Sequence, residues 1–231
     1  MKLGLLRQIA GDDLRLGVNW YLVPNENHNA DGKHVSYLEP GNAIGRRLKA
    51  CDPPLHEALS VMKSSRNRSV ESLEESGVLP GSHQSYLVPL TKRMSTGERL
   101  RWHKGGLGKM QKSDLVFLDP DNGLRKEPGP KLEKYALASE VGDYFAQGHS
   151  VVVYHHADRS KGGVPVQVAR RLNELGEAVG GSSLGAVIAR RGTCRFFLIA
   201  AQDDHRRLLL EGLKRYISVW QGHAELVLLE D

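Results

Sequence analysis

The sequence predicts one α/β domain over residues 1–231: a doubly wound, mostly parallel sheet with helices on both faces and an antiparallel hairpin near the C-terminus. Three observations carry that expectation. Apolar, strand-like runs at 16–23, 114–118, 151–154, 184–189 and 194–200 are separated by segments whose apolar residues recur at helical spacing. The run 151–154, Val-Val-Val-Tyr, is almost continuously apolar, as in strands covered on both faces. The last two runs are joined only by 190–193, Arg-Arg-Gly-Thr, too short a link for a parallel crossover, so they should pair antiparallel.

In chain order, residues 2–10 read as a short helix with Leu5, Leu6 and Ile9 on one side and Gly11 as its stop. Strand 16–23 closes at Pro24, and a polar loop, 25–34, follows. A short strand is expected at 35–38. Asp52 is placed as an N-cap with Pro53 in the first helical position, and Leu55, Ala58, Leu59 and Met62 continue that helix. Ser69 caps a second short helix that stops at Gly77, and a strand is expected at 86–88. Gly105 and Gly106 interrupt the helical pattern of the next segment. Beyond strand 114–118, a helix is expected over 131–146, carrying Leu132, Tyr135, Val141, Tyr144 and Phe145. Another near 165–179 carries Ala169, Leu172, Leu175 and Val179. A third runs from Asp203 or Asp204 to about Val219, and 224–229 closes the sheet.

Apolar residues make up 40% of the chain and charged residues 26%, which places it among globular rather than disordered sequences. The net charge of +5 favours a polyanionic partner. Cys51 and Cys194 are the only cysteines, too few for a disulfide framework or a metal knuckle, so a cytoplasmic setting is expected. The opening Met-Lys-Leu-Gly-Leu-Leu-Arg is charged too early for a signal peptide. No apolar run approaches the roughly 20 residues that span a bilayer, so no membrane partner is expected.

Chemistry concentrates at the end of run 114–118, where Asp119, Pro120, Asp121, Asn122 and Gly123 follow the apolar residues directly. A buried strand would deliver two carboxylates and a carboxamide to its C-terminal tip, the edge at which open α/β sheets bind ligands. The same five residues are also a strong turn sequence, with Gly123 suited to positive φ. His155 and His156 follow the next strand and should reach the same edge; side chains alternate, so only one of the two should face the cleft. Asn25, Asn27, His28, Asn29, Asp31 and Lys33, in the loop after the first strand, share that edge. Residues 92–112 carry Lys92, Arg93, Arg99, Arg101, Lys104, Lys109 and Lys112 against Glu98 alone. That local excess of six positive charges is larger than the net charge of the whole chain. With Trp102 interleaved, the segment suits a phosphate backbone and a stacked base of RNA or DNA. Neither a Gly-x-Ser-x-Gly elbow nor an activated cysteine is present, so acyl hydrolysis is not indicated.

This order of elements, with Asp119-Pro120-Asp121-Asn122 at a strand end and strands 184–189 and 194–200 as a terminal hairpin, resembles the Rossmann-like class I S-adenosylmethionine-dependent methyltransferases. It is most similar to those that methylate adenine N6 in ribosomal RNA. In that family the tip reads Asp/Asn-Pro-Pro-Tyr/Phe. The resemblance implies that Asp119 and the Pro120 carbonyl accept the two N–H groups of a target amine, with Asp121, Asn122 and His155 completing the catalytic pocket. It also implies that loop residues 25–33 contact S-adenosylmethionine and that Lys92, Arg93, Arg99, Arg101, Trp102 and Lys104 hold nucleic acid. Here Asp121 stands in place of the second proline and Asn122 in place of the aromatic, so base stacking would fall to Tyr154 or Trp102. The first loop also lacks the Gly-x-Gly pattern that brings backbone close to a nucleotide. Two rival readings follow from the same residues. One is a nuclease or phosphohydrolase, such as acts in phage defence, with Mg2+ or Mn2+ on Asp119, Asp121 and His156. The other is a nucleic-acid-binding domain without catalysis.

Overall fold

The computed structural model describes residues 1–23, 35–39, 41–65, 69–81, 83–158, 160–191 and 193–229. Helix α1 (Lys2–Ala10) leads into β1 (Leu16–Trp20). Helices α2 (Ala43–Cys51), α3 (Pro53–Ser64) and α4 (Val70–Glu75) precede β2 (Gln84–Tyr86). Then come α5 (Thr96–Met110), β3 (Leu115–Asp119), β4 (Gly123–Arg125), β5 (Tyr135–Leu137), α6 (Ala138–Ala146) and β6 (Ser150–His156). The chain continues through α7 (Gly163–Ala178), β7 (Ser183–Arg191), β8 (Thr193–Ala200), α8 (Asp203–Val219) and β9 (Ala224–Leu228). Helix starts follow local chemistry. Asp52 accepts from the Leu55 amide, Ser69 from Ser72, and Ser95 forms a reciprocal capping box with Glu98.

Among the described residues the main sheet has seven strands in the order β2-β1-β3-β6-β8-β7-β9. β2, β1, β3 and β6 pair in parallel. β8 runs antiparallel between β6 and β7, and β9 runs antiparallel to β7, so the sheet is mixed. The expected hairpin is there: β7 and β8 pair from Ser183 and Ala200 to Arg191 and Thr193. Alternating side chains feed two cores. Leu16, Val18, Trp20, Leu115, Phe117 and Val152 pack against α1 (Leu5, Leu6, Ile9) and α8 (Leu209, Leu213, Tyr216). Val116, Leu118, Val151 and Val153 pack against α5, α6 and α7 through Met110, Val141, Tyr144, Val168 and Leu172. Helices therefore cover both faces.

The structure corrects several local expectations. The segment 131–146 is not one helix. Lys131 is left-handed (φ 57°), 132–134 form a single 3-10 turn, and Tyr135–Leu137 extend to pair with β4. Helix begins only at Ala138, where Glu140 accepts the Leu137 amide at 3.1 Å. Gly105 and Gly106 do not break α5. A Cβ at either would lie 2.5 Å from the Tyr86 or Tyr144 hydroxyl, so these glycines let α5 approach β2 and α6 closely. Residues 36–38 form a 3-10 turn rather than a strand, closed by the Leu38 amide on the Val35 carbonyl. Helix α2 was not foreseen; Asn42 caps it by accepting from the Gly45 amide at 2.9 Å.

Candidate functional site

β1 lies between β2 and β3, and the helices that follow β1 and those that follow β2 and β3 lie on opposite faces. Leu48 and Leu55 of α2 and α3 join the core of α1, whereas α5 and α6 belong to the other. In open α/β sheets such a reversal marks the carboxyl edge at which polar side chains can gather. β3 ends there on Asp119, paired in register with Trp20 of β1.

The Asp119 side chain, 15% exposed, accepts a charged hydrogen bond from Lys2 Nζ at 2.7 Å. Leu5, Leu6 and Ile9 anchor α1 in the core and so hold Lys2 over this edge. Its ammonium also stands 5.0 Å from the Trp20 ring and 5.9 Å from the Tyr154 ring. A nitrogen is thus held between one carboxylate and two aromatic faces, an arrangement that favours cations. Burial chiefly raises the Tyr154 phenol above its usual range; nearby Arg195 opposes this, and Asp119 and Asp121 reinforce it. The Tyr154 hydroxyl accepts from Arg195 Nε at 3.1 Å. Behind Trp20, its indole N–H donates to Glu74 at 2.6 Å, and Glu74 pairs with His83 at 2.5 Å. The Glu74 hydrogen bond raises the His83 pKa, so the ring carries its proton more readily than a free imidazole.

The remaining tip residues are placed as follows. Pro120 is buried. Asp121 is exposed, with its carboxylate 3.5 Å from Lys134 Nζ. Asn122 works through its backbone, donating to the Lys134 carbonyl at 2.9 Å and accepting from the His156 amide at 3.0 Å. His155 points into the opposite layer from Asp119. It is buried against Phe196, and Nδ1 accepts the Leu124 amide at 2.9 Å. Burial pushes its pKa down to about 3, so it is a neutral structural ring that does not reach the Asp119 carboxylate. His156 is the histidine on the Asp119 side, with Nδ1 3.0 Å from the Ala157 carbonyl. Among the described residues no three His, Cys, Asp or Glu side chains form a group able to hold a metal, and Asp119, Asp121 and His156 do not form one. Asn25, Asn27, His28, Asn29, Asp31 and Lys33 lie outside the described residues.

The basic segment divides. Lys92, Arg93, Arg101 and Lys104 are exposed. Arg99 and Trp102 are not surface residues, contrary to expectation. Arg99, 4% exposed, makes a two-pronged ion pair with Glu140 at 2.6 and 2.8 Å, with its guanidinium against both the Tyr21 and the Trp102 ring. The Trp102 indole donates to the Val88 carbonyl at 2.7 Å. Helical spacing turns every third or fourth side chain inward, and positions 99 and 102 fall on that face. A cleft of about 480 Å³ opens over Arg99, between loop residues 92–94 and 128–133.

Lys2, Glu74 and His83 escaped the sequence reading. Lys2 meets its partner 117 positions away, and its only local signal is one basic residue at the start of an apolar helix. Among the described residues, no helix is long and apolar enough to cross a membrane. Comparison with protein-family models, curated proteins and solved structures finds no match.

Proposed function

We propose that this protein is a methyltransferase-like enzyme that acts on an exocyclic amine of a nucleic-acid base. One observation carries the reading: a primary nitrogen, Lys2 Nζ, sits 2.7 Å from the Asp119 carboxylate and beside the Trp20 and Tyr154 rings. Lys2 stands in for the amine of a flipped-out base, which needs the same acceptor and the same aromatic surface. Asp119 would accept one amine N–H and keep the nitrogen lone pair directed outward, and Tyr154 would stack on the base. Lys2 must withdraw as the amine enters. Its side chain is partly exposed at 32%, so withdrawal costs little burial. Bound S-adenosylmethionine would supply the electrophilic methyl group. The antiparallel β8 between β6 and β7 and the exposed cations Arg101 and Lys104 agree with this assignment.

Calorimetric titration with S-adenosylmethionine tests the cofactor, and transfer of labelled methyl groups to RNA and DNA tests the reaction. Binding and transfer are expected. Lys2→Ala should raise transfer by removing the competing ammonium, and Asp119→Ala should abolish it. Absence of heat and of a thermal shift at millimolar cofactor would sink the proposal.

A further inference from the structure

The cleft over Arg99 is distinct from the Asp119 tip, although both lie at the carboxyl edge of the sheet. Its rim is cationic: Lys92, Arg93 and Lys131 face it, against Glu133 as the acidic rim residue. Its walls are apolar, formed by Met94, Pro130 and Leu132. That combination suits a ligand with a flat, weakly polar body and an anionic end. The volume of about 480 Å³ lies within the range of small-molecule sites.

Two further observations point to a bound anion. Among the described residues, Arg93 (φ 63°) and Lys131 (φ 57°) are the only non-glycine residues with positive φ. Both line this one cleft. Non-glycine residues seldom take positive φ, and both that do so among the described residues carry a cation into the lining of the same cleft. In the floor, Arg99 spends Nε and Nη2 on Glu140 and the Tyr135 carbonyl. Its buried Nη1 has no hydrogen-bond partner. A buried guanidinium nitrogen left without an acceptor is costly unless a ligand or water supplies one. The Tyr21 and Trp102 rings, packed edge to face at 4.8 Å, both stand against the Arg99 guanidinium and restrict its orientation.

We propose that this cleft seats one nucleotide, with its phosphate held by Arg93 and Lys131 over Arg99 and its sugar and base against Met94, Pro130 and Leu132. The proposal rests on the nucleic-acid half of the reading above and not on methyl transfer. A phosphorylated nucleoside has two sources, a free mononucleotide or one unit of a strand, and the test separates them.

Adenosine 5′-monophosphate, adenosine, and a short single-stranded oligonucleotide are titrated into the full chain by calorimetry. The nucleotide should bind and the unphosphorylated nucleoside should not. Asparagine tolerates positive φ, so R93N/K131N removes both charges without forcing the loops to refold. It should lose at least about tenfold in affinity, as expected for a lost charge-assisted hydrogen bond. R207Q/K214Q, two exposed cations of α8, should bind the mononucleotide as the wild type does. A tighter oligonucleotide that also weakens in R93N/K131N identifies a strand as the source. Mononucleotide binding without oligonucleotide binding keeps the seat but overturns the nucleic-acid reading. Failure of S-adenosylmethionine to bind leaves the seat untouched. Equal binding by R93N/K131N, or no nucleotide or oligonucleotide binding at millimolar ligand, overturns it.

Discussion

Gly123 shows how much one residue can constrain. It turns the chain from the Asp119 tip into β4 with φ at 123°, and a Cβ there would collide with the His155 imidazole. Gly123→Ala should therefore cost about 1–3 kcal/mol, read as a lower midpoint in urea unfolding. The glycine was legible in the sequence as the end of a turn. Its contact with His155 was not, because that neighbour arrives from β6. His83 offers a pH test. Its folded pKa is raised by Glu74, so its contribution is complete below the unfolded value of about 6.5 and is lost as pH rises through the folded value. Burial alone would raise Glu74, but the bonds from His83 and Trp20 outweigh it and lower its pKa. The carboxylate's share is thus present above about 4.5 and is lost as pH falls through the folded value. His155 acts in the sense opposite to His83: its depressed pKa gives a contribution that is lost as pH falls below the unfolded value of about 6.5. The difference in melting temperature between wild type and His83→Gln isolates the pair. It should shrink between pH 6 and pH 9, and a constant difference would exclude the ion pair.

At the scale of elements, α5 is held to α6 by charge as well as by packing. Arg99 of α5 grips Glu140, and Glu140 in turn caps α6 through the Leu137 amide. Removing one member of a buried pair strands the other. Glu140→Ala should cost about 3–5 kcal/mol, whereas Arg99→Met with Glu140→Leu should recover much of that in the same denaturant titration. The sequence offered Arg99 only as part of a basic run. Its inward direction follows from the phase of α5 against the sheet, which Gly105 and Gly106 set by admitting the Tyr86 and Tyr144 hydroxyls. The outward face of the same helix keeps Arg101 and Lys104. If these touch phosphates, R101Q/K104Q should lower the salt dependence of oligonucleotide binding by about two counterions, measured as the slope of log K against log salt. An unchanged slope would remove α5 from the interface.

Across the whole molecule, the legible part is the part with a short range. The runs that became β1, β3, β6, β7 and β8, the caps Asp52 and Ser69, and the β7–β8 hairpin all follow from periodicity and turn chemistry within a few residues. The segment 131–146 was misread for the complementary reason. Its apolar spacing allows a helix, but β4 needs an extended partner, and that demand comes from residues 123–125. The candidate site was half visible. Asp119 at a strand end could be read from the chain, because an apolar run and a proline mark where a buried strand stops. Tyr154 was legible as one of two candidate rings, but Lys2, the Trp20 ring and the cleft between 92–94 and 128–133 were not. Those neighbours come from separate strands and loops brought together by sheet order and helix phase, and a local pattern holds no information about either. Composition and periodicity thus settled most strands of the main sheet and their covering by helices, while partner choice for every buried charge awaited the packed chain, because Coulomb and hydrogen-bond energies depend on distance in space rather than along the sequence.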